Sequence, residues 1–408
     1  MRFYLKLAWR NIFRNRRRTF LTGLIIGVGL AAMMFTDAWI VGMKQNLISS
    51  ATSTFLGHAQ IHREGFTELY DGELTIRGDQ ELRERLAADE DIESFTRRTV
   101  SYGTISSPAD ISSVLVYGID PETEPALSQI DESIVEGEYL EAIDQTGVLI
   151  GRELAEELEA EVGGRIVITV SEAESGAISQ QLVRVSGIFE THIERLDEAV
   201  VVVPLEVAQQ MLGLGNQIHE IALRFGDPQY AQEFGGAFSA KYTGDGNLAE
   251  PWTELLPQIS YILDMTDISS GITMIIVFAM IIFGIINTLF MSLYERTFEF
   301  GVLRAVGTRA GVLRKLIVFE AGSLAVYSMV VGVVLGSILI AWGSVSGLDL
   351  TGVELAGTSF TGRIYTVFSI RQFTLHPALV FGFTVLVSLY PAHHAAKMSV
   401  AGALQRAL

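Results

Sequence analysis

The sequence has no cysteine among its 408 residues. That excludes disulfide staples, thiolate catalysis and cysteine-based zinc sites, and it fits a domain exported to an oxidising space. Gly-x-x-x-x-Gly-Lys-Ser/Thr is absent, so the chain carries no P-loop of its own. A Gly-x-Ser-x-Gly elbow is also absent: Gly343–Gly347 has Val345 where the nucleophile would stand. Basic residues are scarce between positions 44 and 266, 13 against 40 acidic, a balance of −27. Such a region has little attraction for nucleic acid or anionic lipid. Charge itself is nearly missing from four runs: Phe20–Met43, Gly271–Leu293, Leu316–Trp342 and Phe373–Tyr390.

Each of those runs approaches or exceeds the roughly 20 helical residues needed to cross a hydrocarbon core. The fold class expected is therefore a membrane protein of four transmembrane α-helices, with a large α+β extracytoplasmic domain inserted between the first and second. The expected organisation is an interfacial helix (1–19), spans at 20–43, 267–293, 316–342 and 373–390, and the domain at 44–266. A cytoplasmic loop (294–315), a short outer loop (343–372) and a cytoplasmic tail (391–408) complete it. Residues 1–18 hold seven Lys or Arg and no acid, and the 294–315 loop holds five basic residues against two acids. Retention of Lys and Arg on the inner side puts both termini and that loop in the cytoplasm. The first run is too long for a signal-peptide core and lacks a small-x-small exit, so it reads as an uncleaved anchor.

Before it, Leu5, Ala8, Trp9, Ile12 and Phe13 form an apolar helical stripe beside a basic face that includes Arg10 and Arg14. This is the pattern of a helix in the inner headgroup layer, with Trp9 and Phe13 dipping into the acyl boundary. Gly23, Gly27 and Gly29 in the first span, and Ser328, Gly332 and Gly336 in the third, favour close helix packing. Asp37 is expected near the outer interface, solvated there. Glu320 is expected to pair with Arg314, Lys315 or the N-terminal helix, and Asn287 to bond across helices.

Within the domain, strands are expected at 59–62, 114–119, 147–149, 165–170, 181–189, 199–203 and 218–225. Helices are expected at 80–88, 151–160, 205–212 and 227–237. The 44–56 segment continues the first span outward, and 252–263 leads into the second. His58 and His62 share one face of an extended run, but no third metal ligand lies nearby. The acids of 89–91 and 156–161 read as solvated helix faces. No catalytic constellation is found.

The segment 294–309, YERTFEFGVLRAVGTR, stands apart as a charged helix between two spans. Gly307 sits where a helix ends in a left-handed residue, and Thr308 where the next could be capped. Arg296, Phe300 and Arg304 share one helical face and Glu295 and Glu299 another, so the loop can present patterned charge to a soluble partner.

The run ER-T-x-E-F-G-x-L-R-A-V-G-T at 295–308 resembles the loop between spans two and three of the MacB/LolC/LolE/FtsX family of ABC transporter permeases. LAWRNIFRNRRRTFLT near the start, VLIGRELAEEL (148–158), VRVSGIF (183–189), residues 199–212 and the ending PAHHAAKMSVAGALQRAL resemble other parts of that family in order. His393 and His394 replace its usual basic pair. The resemblance implies a non-catalytic permease that pairs with a second copy or paralogue and with a dimer of separate ATPase subunits, which bind the ATP and Mg²⁺. It implies that the loop helix sits in a groove of the ATPase, with Glu295, Arg296, Glu299, Gly301, Arg304 and Gly307 matching the motif. The stand-alone layout is most similar to the lipoprotein-releasing LolC/LolE type of the bacterial inner membrane, in which a periplasmic chaperone or adaptor receives the cargo. The alternatives are a MacB-like export permease and an FtsX-like transmitter of force to an exported hydrolase. A membrane-anchored binding protein without an ATPase is the reading from outside the class.

Overall fold

The computed structural model describes residues 16–141, 146–191, 193–227, 230–349, 354–355, 358–359 and 363–397. The expected interfacial helix, with Trp9, Arg10, Phe13 and Arg14, lies outside the described residues, as does most of the tail. Two compact units emerge, one of helices and one of mixed α/β structure.

The helical unit is built on α1 (Arg16–Ala51), α6 (Pro257–Glu295), α8 (Ala310–Ser346) and α9 (Ile370–Lys397), each long and apolar enough to cross a membrane. A fifth helix, α7 (Thr297–Ala305), joins α6 to α8. Apolar side chains from all four long helices meet in one core, including Ile26, Leu30, Met34, Ile285, Ile340 and Val380. Small residues set the spacing as expected. A β-carbon on Gly27 would stand 3.1 Å from the backbone nitrogen of Gly332, so α1 and α8 touch through their main chains.

An extended segment after Ile364 is threaded into this bundle. Val367 N–H donates to the Ala38 carbonyl at 3.1 Å and the Thr366 hydroxyl to the Ile340 carbonyl at 2.7 Å. Gly42 and Gly343 leave the room it needs. Asp37 is not freely solvated: it is largely buried, 3.7 Å from the imidazole of buried His376 on α9. Lys44 and Asp267 pair at 2.8 Å. Asn287 is exposed and makes no hydrogen bond to another span among the described residues.

The second unit is the α+β domain. Its strands are β1 (Ala59–Arg63), β2 (Ile92–Ser106), β3 (Ile111–Ile119), β4 (Ile134–Gly137), β5 (Gly147–Gly151), β6 (Arg165–Ser171), β7 (Ile178–Phe189), β8 (Val200–Pro204), β9 (Glu220–Phe225) and β10 (Asn247–Pro251). Pairing of β6 with both β2 and β7 closes β2, β3, β8, β5, β7 and β6 into a small barrel. Alternate Val, Ile and Leu side chains fill it, packed with α3 (Arg152–Glu157) and α4 (Leu205–Leu212). The remaining arm is the antiparallel order β10-β1-β9-β2, with α2 (Asp79–Ala87) and α5 (Tyr230–Tyr242).

Sequence patterning did not anticipate the short β4 and β10 or, more consequentially, the 15-residue β2. It serves both subdomains, so neither face alternates cleanly: its first half pairs β9 and its second half β6. In its middle, Arg98 is fully buried between Glu124 (2.5 Å) and Glu220 (3.0 Å). Its guanidinium also donates to the Phe55 carbonyl at 2.7 Å and lies 4.3 Å from the Phe55 ring. Phe55 belongs to the single π-turn, Thr52–Leu56, that prolongs α1. Arg98 thereby caps the carbonyl end of that helical extension inside the domain core. Burial pushes the Glu220 carboxyl above its usual range, against the opposing pull of Arg98.

The two histidines are structural. His58 Nδ1 accepts from Phe225 N–H at 3.1 Å, and His62 Nε2 meets Glu250 at 2.8 Å. The acids at 89–91 differ from the solvated face expected: Asp89 accepts from Lys241 (2.6 Å) and Tyr242 (2.7 Å), and Asp91 from Tyr230 (2.9 Å), which pins α5.

Candidate coupling site

The chain turns sharply between α6 and α7. Glu295 ends α6, Arg296 occupies the N-cap of α7, and Thr297 returns its hydroxyl to the Leu293 carbonyl at 3.1 Å. Charge follows the helix dipole, with Glu299 in the first turn and Arg304 in the last. The helix then stops as the sequence demands. Gly307 adopts φ +98°, Thr308 N–H reaches back to Leu303 O at 3.0 Å and Gly307 N–H to Arg304 O at 3.1 Å, which is a Schellman closure. Thr308 does not cap α8, contrary to expectation; Arg309 holds that position without a side-chain bond.

Arg296 is the residue whose placement most changes the picture. Its side chain is 9% exposed, and Nη1 donates to both Glu320 oxygens at 2.6 and 2.5 Å. Its Nε donates to Glu299 at 3.0 Å. Among the described residues Glu320 pairs with Arg296, which reaches it from the α6–α7 corner, and not with Arg314 or Lys315. The face on which Arg296, Phe300 and Arg304 were expected to meet a partner instead turns inward. Phe300 is buried with Leu293, Leu313, Ile317, Ala392 and Ala395, and Gly301 is buried beside it. Arg304 is half-buried and donates to the Thr308 carbonyl at 3.3 Å. A cavity of about 50 Å³ opens beside the ion pair, lined also by Thr22, Thr288 and Ser292, enough for a few waters.

What α7 leaves outside is apolar. Phe298 (50%), Val302 (40%) and Val306 (83%) follow one another at i, i+4 and i+8, with Leu303 (39%) beside them and Glu295, Gly307 and Arg309 exposed at the ends. Helical periodicity could have found this stripe, since it is the same arithmetic applied two residues later. Chemically, α7 is a short lever with one face sealed to α8 and α9 and an apolar face available to a partner.

Residues 19–240 match the family model of the MacB-like periplasmic core domain, and residues 271–400 that of the FtsX-like permease C-terminal region. The chain belongs to the MacB/LolC/LolE/FtsX family of ABC transporter permeases. Among its relatives, the lipoprotein-releasing system transmembrane protein LolE of Haemophilus influenzae is 22% identical over 422 residues, covering 98% of both chains. The corresponding LolC of Neisseria meningitidis serogroup B is 21% identical over 312 residues, 74% of this chain and 75% of that one. The solved periplasmic region of MacB from Actinobacillus actinomycetemcomitans aligns at TM-score 0.34 and 14% identity, over 50% of this chain and 92% of that one. Members of this permease family work in general with an ATPase and as a permease dimer, and the ABC permease is their non-hydrolytic membrane subunit.

Proposed function

We propose that this chain is the permease of a lipoprotein-releasing system in the bacterial inner membrane. Both termini and α7 face the cytoplasm, and the α+β domain faces the periplasm. A separate ATPase dimer docks on α7 and binds the ATP and Mg²⁺. Its closure presses the Phe298–Val302–Val306 stripe, and the Arg296–Glu320 pair passes the displacement to α6 and α8 rather than letting α7 slide. The domain then hands the released lipoprotein to a periplasmic chaperone. The observation that carries this reading is a short helix held to the spans by a largely buried ion pair while its opposite face stays apolar and exposed. The relatives named for lipoprotein release supply the cargo class.

The test is reconstitution of the chain and its co-purifying ATPase in nanodiscs with a triacylated lipoprotein. ATP-dependent appearance of the lipoprotein on a soluble acceptor is expected. ATP turnover without release would overturn the cargo assignment and leave a force transmitter of the FtsX kind.

A further inference from the structure

Ionisable side chains are scarce in the four spans. Between Arg18 and Lys44, α1 carries only Asp37. Between Arg371 and His393, α9 carries only His376 and, near its inner end, Tyr390. From Ile268 to Leu293 α6 has none, and beyond Glu320 α8 has only Tyr327. The acid of α1 and the imidazole of α9 nevertheless meet, with Asp37 Oδ2 3.7 Å from His376 Nε2. Asp37 stands about two turns inside Lys44, and His376 about two turns inside the start of α9. Ionisable groups at such depth are costly, and their meeting across two helices calls for a function.

The pair is unfinished. A separation of 3.7 Å is too long for a hydrogen bond. The His376 side chain is 4% exposed, and neither ring nitrogen has a hydrogen-bond partner among the described residues. A neutral imidazole always carries one N–H, so a buried donor is left unmade about 1 Å short of a carboxylate. Neighbouring polar groups are already committed. Gln372, which also faces Asp37, donates to the Val367 carbonyl and accepts from Ser369 N–H, both at 3.1 Å. The Thr366 hydroxyl is held by the Ile340 carbonyl. The surrounding charges are committed or turned outward: Lys44 pairs with Asp267 of α6, Arg363 donates to the Ser346 carbonyl, and Asp264 and Arg371 are exposed. Tyr365 is half-exposed, and α8 offers no charged group at this level. Pro377, directly after the imidazole, gives no N–H to the Phe373 carbonyl, so α9 can bend there. The Asp37 side chain is 17% exposed and is the way from solvent to the ring.

We propose that Asp37 and His376 are a proton-binding site that latches α1 to α9. With a neutral imidazole the pair carries a single uncompensated negative charge, and packing alone holds the two helices together at this level. A proton from the outer solvent, entering past Asp37, adds to the unprotonated ring nitrogen. No covalent bond breaks, and the buried pair becomes neutral overall. The imidazolium then donates to the carboxylate, and α9 closes the gap by bending at Pro377. The latch closes as pH falls and opens as it rises. It goes beyond the cargo reading: the pH of the outer compartment sets how freely α1 and α9 move during the cycle.

Hydrogen exchange of the full chain in nanodiscs tests the latch at about pH 5.5 and about pH 7.5, on either side of the ordinary imidazole range. The amides of residues 371–380 are followed, with rates corrected for the intrinsic pH dependence of exchange. Wild type is expected to be severalfold better protected there at the lower pH. Asp37→Asn and His376→Gln should each remove that difference, and His376→Lys, a permanent cation, should give the high protection at both values. Asp37→Asn keeps nearly the native shape, so it decides alone if the histidine variants do not fold. Equal protection of wild type at the two pH values, or a difference that survives Asp37→Asn, overturns the proposal. Neither ATPase nor lipoprotein enters the measurement, so its failure would leave the cargo reading untouched, and failure of that reading would leave the latch standing.

Discussion

Arg296 and Glu320 are 24 residues apart in sequence, and in the structure Arg296 Nη1 donates to both Glu320 carboxylate oxygens, tying the α6–α7 corner to α8. With side-chain exposures of 9% and 17%, this pair is not a surface salt bridge. Removing one partner of a buried pair strands the other charge at a cost of about 3–5 kcal/mol, whereas replacing both by apolar groups is often near neutral. Here Glu299 still faces Arg296, so Glu320→Gln is expected at the low end of that range. The double variant Arg296→Met/Glu320→Leu should recover most of the lost thermal stability in detergent but not ATP-driven work, if the pair transmits displacement. A melting curve for each variant, followed by ATP turnover in nanodiscs, checks both halves.

The buried cluster around Arg98 makes a similar test inside the domain. Arg98→Met leaves Glu124 and Glu220 facing each other without a cation, and is expected to cost about 3–5 kcal/mol. Glu220→Gln should cost much less, because burial already pushes that carboxyl toward its protonated form. Denaturant unfolding followed by Trp252 fluorescence, a fully buried tryptophan of the domain, measures both.

His58 gives the domain a defined pH dependence. Burial and nearby Arg224 lower its pKa from 6.5 to about 4, while Phe225 N–H donates to its neutral ring. In the unfolded chain the imidazole takes up a proton first. Stability is therefore fully present above about pH 6.5 and is lost as pH falls toward 4, by up to ~3 kcal/mol. His58→Gln should flatten that part of the stability profile; an unchanged slope between pH 4 and 6.5 would show that other groups produce it.

Gly307 tests the end of the lever. Its φ of +98° is costly for a β-branched residue, so Gly307→Val is expected to destabilise the α7–α8 junction by about 1–2 kcal/mol, and Gly307→Asn by less. Accelerated hydrogen exchange confined to residues 303–309 in the valine variant is the signature.

The fold was legible where pattern and chemistry agree. Charge-free runs marked the four long helices, and the Leu205–Leu212 helix follows directly from Pro204 and Gly213. β2 was not legible, because a strand shared by two subdomains obeys no single alternation. At the coupling site the position of α7, its Schellman stop and the dipole placement of Glu299 and Arg304 could be read from the residues. The orientation could not. Spacing groups Arg296 with Phe300 and Arg304, but only tertiary packing decides that this face turns toward Glu320 and Ala392 while Phe298, Val302 and Val306 stay outside.

The most direct measurement of coupling through α7 is the amount of ATPase recovered with the affinity-tagged chain from gently solubilised membranes, comparing wild type with Val302→Glu and Val306→Glu. Both positions are exposed, so the substitutions leave the bundle packed. Wild type is expected to retain the ATPase and each variant to lose most of it, at unchanged expression and melting temperature. Equal recovery from all three, or none from the wild type, would contradict the assignment of α7 as the ATPase-docking helix.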